Sequence, residues 1–112
     1  MEITTRAVGK CKVLDCSGPI TLGPATATLR EAIREAVLND TTKVILNLGN
    51  VGYIDSAALG EIISGYVHVK NTGGNIVLLN LDPNVHRLMV IAKLQVILDI
   101  FDDEQKALEG CE

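Results

Sequence analysis

The sequence predicts an α/β fold in which a mixed sheet of about five strands carries four helices, in the order ββαβαβαβα. Two apolar runs, at residues 44–46 and within 75–81, are continuous rather than alternating, which is typical of strands covered on both faces. Segments with helical spacing of apolar residues separate these strands. We expect residues 1–112 to form one domain, because the chain has the length of one and shows no linker or repeat.

The first half of the chain begins with a predicted hairpin. Strands at residues 3–8 and 11–16 flank Gly9-Lys10, a two-residue turn with glycine in its first position. Pro24 is well placed near a helix start, and residues 25–38 have the apolar spacing of a helix. A covered strand is predicted at 43–48.

The second half repeats the alternation of helix and strand. A helix at 57–70 should end at Gly73 or Gly74, and its predicted buried side consists of Leu59, Ile62, Ile63, Tyr66 and Val69. A strand at 75–81 leads to a short helix that Asp82 caps. The final strand is predicted at 96–101, before a last helix with Asp102 and Gln105 as a capping box.

Composition and charge exclude several classes of protein. The net charge is −4 and the pI about 5.1, so the basic footprint of a nucleic-acid partner is missing. The N-terminus has no apolar stretch typical of a signal peptide, and no apolar run approaches the ~20 residues that span a bilayer. We therefore expect a soluble, cytoplasmic protein without a membrane partner.

The three cysteines are Cys11, Cys16 and Cys111. An odd number without a signal peptide predicts free thiols in a reducing compartment. Cys11 and Cys16 would point to opposite faces of one strand, so they do not form a metal pair. We predict buried or edge thiols and no metal or cofactor.

Ser56 lies where the loop after an apolar strand gives way to a helix. The first turn of a helix has unpaired N–H groups and the positive end of the dipole. The hydroxyl could therefore be a plain N-cap, worth about 1 kcal/mol. Equally, a phosphate on that oxygen would be stabilised.

A catalytic serine is the less favoured interpretation. His68 follows Ser56 by twelve positions on one predicted helix, which places it about 18 Å away. Sequence spacing does not exclude His86, but the Gly-x-Ser-x-Gly elbow of a hydrolase is missing, as is the Gly-Lys-Ser/Thr of a phosphate loop. We predict that the protein is not an enzyme.

The motifs resemble the STAS family, and specifically its bacterial anti-sigma factor antagonists. The residues that carry the resemblance are Asp55-Ser56-Ala57-Ala58-Leu59-Gly60 after Val44-Ile45-Leu46-Asn47-Leu48, then Ile20 after Gly18, Gly73-Gly74 before a strand, and Pro83-Asn84-Val85-His86-Arg87-Leu88. Together they cover nearly the whole chain. The resemblance implies a mixed sheet with helices mainly on one side.

The resemblance also implies a function. Family members bind an anti-sigma factor that is also a serine kinase and so release a sigma factor; the kinase phosphorylates the serine that Ser56 matches, and a phosphatase reverses this. The partner-binding residues would be Thr21, Asp55, Ser56, Ala57, Ala58, Leu59 and Gly60.

Two departures from the family pattern keep an alternative open. Ala58 stands where the family usually has glycine, and its methyl group could hinder close approach by a partner. Thr21 replaces an acidic residue of many members, which bears on the kinase that would recognise the site. The alternative is a STAS adaptor or ligand-binding scaffold that works without phosphorylation. The sequence does not indicate the oligomeric state.

Overall fold

The computed structural model describes residues 1–111 and contains one five-stranded mixed sheet. Its strand order is the order of the chain, and β1 is antiparallel to β2 whereas the remaining neighbours are parallel. The strands are β1 (Glu2–Val8), β2 (Cys11–Ser17), β3 (Lys43–Asn50), β4 (Asn75–Leu79) and β5 (Ile100–Phe101). The predicted hairpin and mixed sheet are confirmed.

Four helices connect and cover these strands, as predicted. They are α1 (Pro24–Ala36), α2 (Ser56–Asn71), α3 (Pro83–Ile91) and α4 (Glu104–Ala107). Helices α1, α2 and α3 pack on one side of the sheet, which we call the helix face. Helix α4 and Cys111 pack on the other side, which we call the disulfide face.

The central strands are covered on both faces. In β3, Val44, Leu46 and Leu48 belong to the core of the helix face, whereas Ile45 belongs to that of the disulfide face. Side chains of a strand alternate between the two faces, so a continuous apolar run fills two cores at once. The prediction that a strand with a continuous apolar run is covered on both faces is confirmed.

Fewer residues of helix α2 are buried in the core than the sequence predicts. Its buried residues are Ala58, Ile62, Gly65 and Val69, whereas Ile63 is exposed and was wrongly assigned to the buried side. A Cβ on Gly65 would lie 2.8 Å from Ile33 Cδ1. The glycine therefore permits the close packing of α1 against α2.

The predicted final strand at 96–101 is wrong in its first half. Residues Leu94–Val96 form one turn of 3₁₀ helix, and only Ile100 and Phe101 pair with β4. Leu94 and Leu98 are buried four positions apart, and Leu98 N donates to Leu94 O at 2.8 Å. Burying this pair requires a helical turn, which overrides the strand propensity of the β-branched residues between them.

The cap of α4 is one residue later than predicted. Asp103, not Asp102, is the N-cap, and its carboxylate accepts a hydrogen bond from Gln105 N at 2.9 Å. The predicted cap of α3 is confirmed, because Asp82 accepts from Asn84 N at 2.9 Å.

A disulfide joins Cys11 to Cys111, so the prediction of three free thiols is wrong for two of them. Their Cα atoms are 5.5 Å apart, within the range that a disulfide spans. Only the folded chain brings residues 100 positions apart together, and no spacing rule shows this. Cys16 is buried in the opposite core and is a free thiol, as predicted.

The disulfide face also carries an ion-pair network that links its parts. Arg6 contacts Asp15 on β2 and donates from Nη2 to Glu104 Oε1 on α4 at 2.7 Å. Asn47 on β3 donates to Asp15 at 2.8 Å. The hydrogen bond from Arg6, followed by that from Asn47, lowers the pKa of Asp15 below its ordinary value.

Candidate functional site

The candidate site is the corner where β3 gives way to α2. After the strand, Val51 and Ile54 are fully buried, whereas Gly52 and Tyr53 between them are exposed. The two buried side chains fix the connection to the core. Ser56 follows as the first residue of α2 and is exposed.

Asp55, not Ser56, caps the helix. Its backbone is extended, and its Oδ1 accepts a hydrogen bond from Ala58 N at 2.9 Å. The interpretation of Ser56 as the N-cap is therefore wrong by one residue. Because Asp55 supplies the capping hydrogen bond, the Ser56 hydroxyl is not used to cap the helix.

Asp55 also holds the loop before α1 against the start of α2. Its second carboxylate oxygen accepts a hydrogen bond from Leu22 N at 2.9 Å. Next to this contact, Ile20 N donates to Tyr53 O at 3.1 Å, and Asp55 N donates to Ile20 O at 3.3 Å. The two segments form an isolated parallel bridge.

The two hydrogen bonds that Asp55 accepts stabilise its ionised form. The N–H groups of Leu22 and then Ala58 favour the ionised carboxylate, so the pKa of Asp55 lies below its ordinary value. A fixed negative charge therefore stands directly before Ser56 in the chain. Any second negative charge on the serine would be added beside it.

Ser56 is part of an exposed strip that is partly apolar. Gly60, Ile63 and Val67 follow it at helical spacing and are all exposed, so they share the outer side of α2. Leu22 is 78% exposed and Tyr53 is 58% exposed on the two segments that Asp55 joins. We call Leu22, Tyr53, Ser56, Gly60, Ile63 and Val67 the Ser56 surface.

The residues predicted to bind a partner differ in their exposure. Ser56 and Gly60 are exposed, whereas Thr21, Asp55, Ala57 and Leu59 are half-buried. Thr21 lies between Ile20 and Leu22, the two residues tied to the α2 connection.

Ala58 is the exception among these residues, because its side chain is fully buried. Its methyl group is a core contact and is not presented to a partner. The expected hindrance to a partner's approach is therefore wrong.

Sequence reasoning missed Leu22 and Tyr53 as surface residues. Tyr53 lies between a predicted strand and a predicted helix, where no periodic pattern indicates which side chains are exposed. The available signal was position, since Leu22 precedes Gly23-Pro24 and falls outside the helical spacing of α1.

The two histidines lie in other parts of the fold. His68 lines a groove between α1 and α2 with Arg34 and Glu61, and His86 lines another with Leu81 and Phe101. Ser56 lines neither groove.

No group of three metal-ligating side chains occurs among residues 1–111. Within the same residues, no helix has the length and apolar character that crossing a bilayer demands.

Comparison with known proteins identifies the family. The STAS domain matches residues 2–107. The chain is 35% identical over 69 residues to the anti-sigma F factor antagonist of Paenibacillus polymyxa, covering 62% of this chain and 59% of that protein. The aligned part thus spans about three fifths of that relative's length.

Solved structures show the same fold. The crystal structure of TM1081 from Thermotoga maritima has a TM-score of 0.87 at 23% identity, covering 97% of this chain and 93% of that one. Phosphorylated SpoIIAA of Bacillus gives 0.76 at 18% identity, covering 99% and 100%. From these matches and the architecture described above, we conclude that the chain belongs to the STAS domain family.

Proposed function

We propose that this protein is an anti-sigma factor antagonist: it binds an anti-sigma factor that is also a serine kinase, and phosphorylation of Ser56 ends the binding. The observation that carries the proposal is that Ser56 is exposed at the first position of α2 while Asp55 does the capping. The name of the Paenibacillus relative and the phosphorylated state of SpoIIAA support it.

The helix start can accommodate a phosphate without unfolding the domain. The free N–H groups and the dipole of the first turn favour an anion there. The hydrogen bonds of Asp55 to Leu22 and Ala58 do not involve the Ser56 hydroxyl, so the modification leaves this link intact. The modified and unmodified domains should therefore have the same fold.

A bound partner would not accommodate the same phosphate. Phosphorylation adds about −1.5 to −2 charges beside the ionised Asp55. A partner that packs on Leu22 and Tyr53 would remove water from this charge, and a buried charge without a cationic neighbour costs several kcal/mol. The switch therefore acts on the complex rather than on the fold.

The modification is tested by incubating the protein with ATP and its candidate kinase, then locating added phosphate by mass spectrometry. We expect one phosphate, on Ser56, which a serine phosphatase removes. Ser56→Ala should abolish it, whereas Ser64→Ala, at another exposed serine of α2, should not. Phosphate on Ser64 alone would refute the assignment.

The effect on binding is tested with Ser56→Asp, using Ser64→Asp as a matched control on the same helix. We expect Ser56→Asp to weaken binding of the anti-sigma factor by about a hundredfold or more, with the thermal unfolding midpoint almost unchanged. Ser64→Asp should bind like the parent protein. Equal binding by all three would favour the adaptor that works without phosphorylation, and would overturn the proposal.

A further inference from the structure

Strand β1 is a long edge of the sheet that no described residue covers. The sheet order places β1 at one end, where β2 is its only strand neighbour among residues 1–111. The opposite edge, β5, has two residues, whereas β1 has seven. Short edge strands discourage further pairing, but a long one presents a row of unpaired N–H and C=O groups.

The hairpin shows which backbone groups face outward. A two-residue turn makes Val8 and Cys11 a hydrogen-bonded pair, and such pairs recur at every second residue of an antiparallel ladder. The N–H and C=O groups of Ile3, Thr5 and Ala7 therefore point away from β2. Thr5 and Ala7 are exposed, so these groups are open to a new strand.

A groove runs beside this edge on the helix face, between β1 and α1. Its floor and rim are formed by Ile3, Thr5, Ala27, Ala32, Glu31 and Glu35. The side chains of Ile3 and Thr5 thus lie in the groove while their backbone groups face outward. A strand added here would place alternate side chains over an apolar floor with an acidic rim.

The charges favour a basic occupant over a second copy of this chain. Glu31 and Glu35 are exposed, and no ion pair to either is found within residues 1–111. Pairing of two β1 edges around a twofold axis would bring the two acidic rims together, which is repulsive. Lysine suits the groove because its aliphatic stem can cover the floor while its ammonium group reaches a glutamate.

We propose that the β1 edge binds an extended basic segment of a partner protein by antiparallel strand addition, with alternate lysine side chains in the groove beside α1. The proposal goes beyond the function assigned to Ser56, because β1 and the residues of this groove are not part of the Ser56 surface. A single chain could thus hold two partners at two places.

The test uses a fluorescein-labelled peptide of alternating lysine and threonine, followed by fluorescence anisotropy. In an antiparallel pair, directly opposite residues share a face, so the lysines facing the groove also carry the pairing N–H groups. We expect methylation of the backbone amide nitrogens of the lysines to weaken binding about tenfold or more, because it removes the pairing N–H groups. Methylation of the backbone amide nitrogens of the threonines should have little effect. A glutamate-threonine peptide should not bind.

Variants of the protein supply the second arm. Thr5→Pro removes an outward N–H, a change that an edge strand tolerates, and should weaken binding about tenfold. Glu31→Gln with Glu35→Gln should also weaken it, whereas Asp99→Asn, at an exposed residue beyond the groove, should not. If Thr5→Pro does not fold, the methylated peptides carry the test alone.

Three results would overturn the proposal. The peptide could bind equally well after methylation of lysine or of threonine, which would indicate attraction by charge alone. A folded Thr5→Pro variant could bind like the parent protein. Sedimentation could show a dimer that Thr5→Pro converts to a monomer, in which case a second copy occupies the edge.

Discussion

The two faces of the sheet are held to their coverings in different ways. The core of the helix face contains twenty buried residues supplied by the sheet, its connections and three helices, whereas that of the disulfide face contains seven. Stabilisation by burial scales with the apolar area removed from water, so the second face gains much less from it. There the four-residue α4 and the segment after it are held by specific links instead.

Those links come from distant parts of the sequence. The Cys11–Cys111 disulfide closes the face at one end, and the contact of Arg6 with Glu104 holds α4 to β1. In addition, Lys43 Nζ donates to the backbone carbonyls of Ala107 and Glu109, at 2.9 and 3.0 Å. The small covering of the disulfide face is thus held by several cross-links, whereas burial of apolar side chains is the larger contribution on the helix face. The following predictions test this contrast.

The largest expected effect is that of breaking the disulfide. Cys111→Ser should lower the free energy of unfolding by about 4 kcal/mol, because the bond closes a loop of 100 positions and limits the unfolded chain. Guanidinium denaturation of the two proteins measures this difference. Reducing agent should shift the parent protein toward the variant and leave the variant unchanged; an unshifted parent midpoint would contradict the prediction.

The next largest effect is the difference in thermal stability between variants of Asp55 and of the neighbouring Ser56. Asp55→Ala removes both the cap of α2 and the link to Leu22, so it should lower the thermal unfolding midpoint clearly. Ser56→Ala removes an exposed hydroxyl that does not cap the helix and should leave the midpoint nearly unchanged. Differential scanning calorimetry compares them, and equal losses would show that Ser56 shares the capping role.

A smaller effect is expected from the ion pairs of the disulfide face. The pKa of Asp15 in the folded protein is below its ordinary value of 3.8. The contribution of the ionised carboxylate to the free energy of unfolding is therefore fully present above pH 3.8, and it is lost as the pH falls through the lower folded-state pKa. Because both partners are partly exposed, Asp15→Asn should cost less than about 1 kcal/mol at neutral pH. Denaturation curves recorded from neutral to acidic pH should converge for the two proteins; a constant difference would contradict the prediction.

The smallest expected effect is the slow alkylation of Cys16, the thiol that forms no disulfide. Burial raises the pKa of Cys16 to about 12, and only the thiolate reacts with alkylating agents. After reduction under native conditions, we expect iodoacetamide to label Cys111 first and Cys16 last, as measured by mass spectrometry. Equal labelling rates of Cys111 and Cys16 would contradict this prediction.

Sequence reasoning succeeded where apolar residues repeat along an element, and it failed where a single tertiary contact decides the local structure. Periodicity identified the covered strands and the helices of the helix face, because repeated apolar residues record which side of an element is buried. It failed at Val96 and Ile97, whose strand propensity was overridden by the burial of Leu94 and Leu98. The capping residues considered for α2 and α4, Ser56 and Asp102, were each one residue away from the observed caps, because either of two adjacent polar side chains could have reached the N–H groups.

The sequence by itself determined the order of elements, the double coverage of the central strands and the family motifs around Ser56, because local periodicity and turn residues encode them. Only the tertiary structure decided that Asp55 caps α2 and holds Leu22, that Ala58 faces the core, and that Cys11 meets Cys111. Each of these depends on the distance between residues far apart in the chain or on the side to which one side chain turns. Packing of the whole chain sets both.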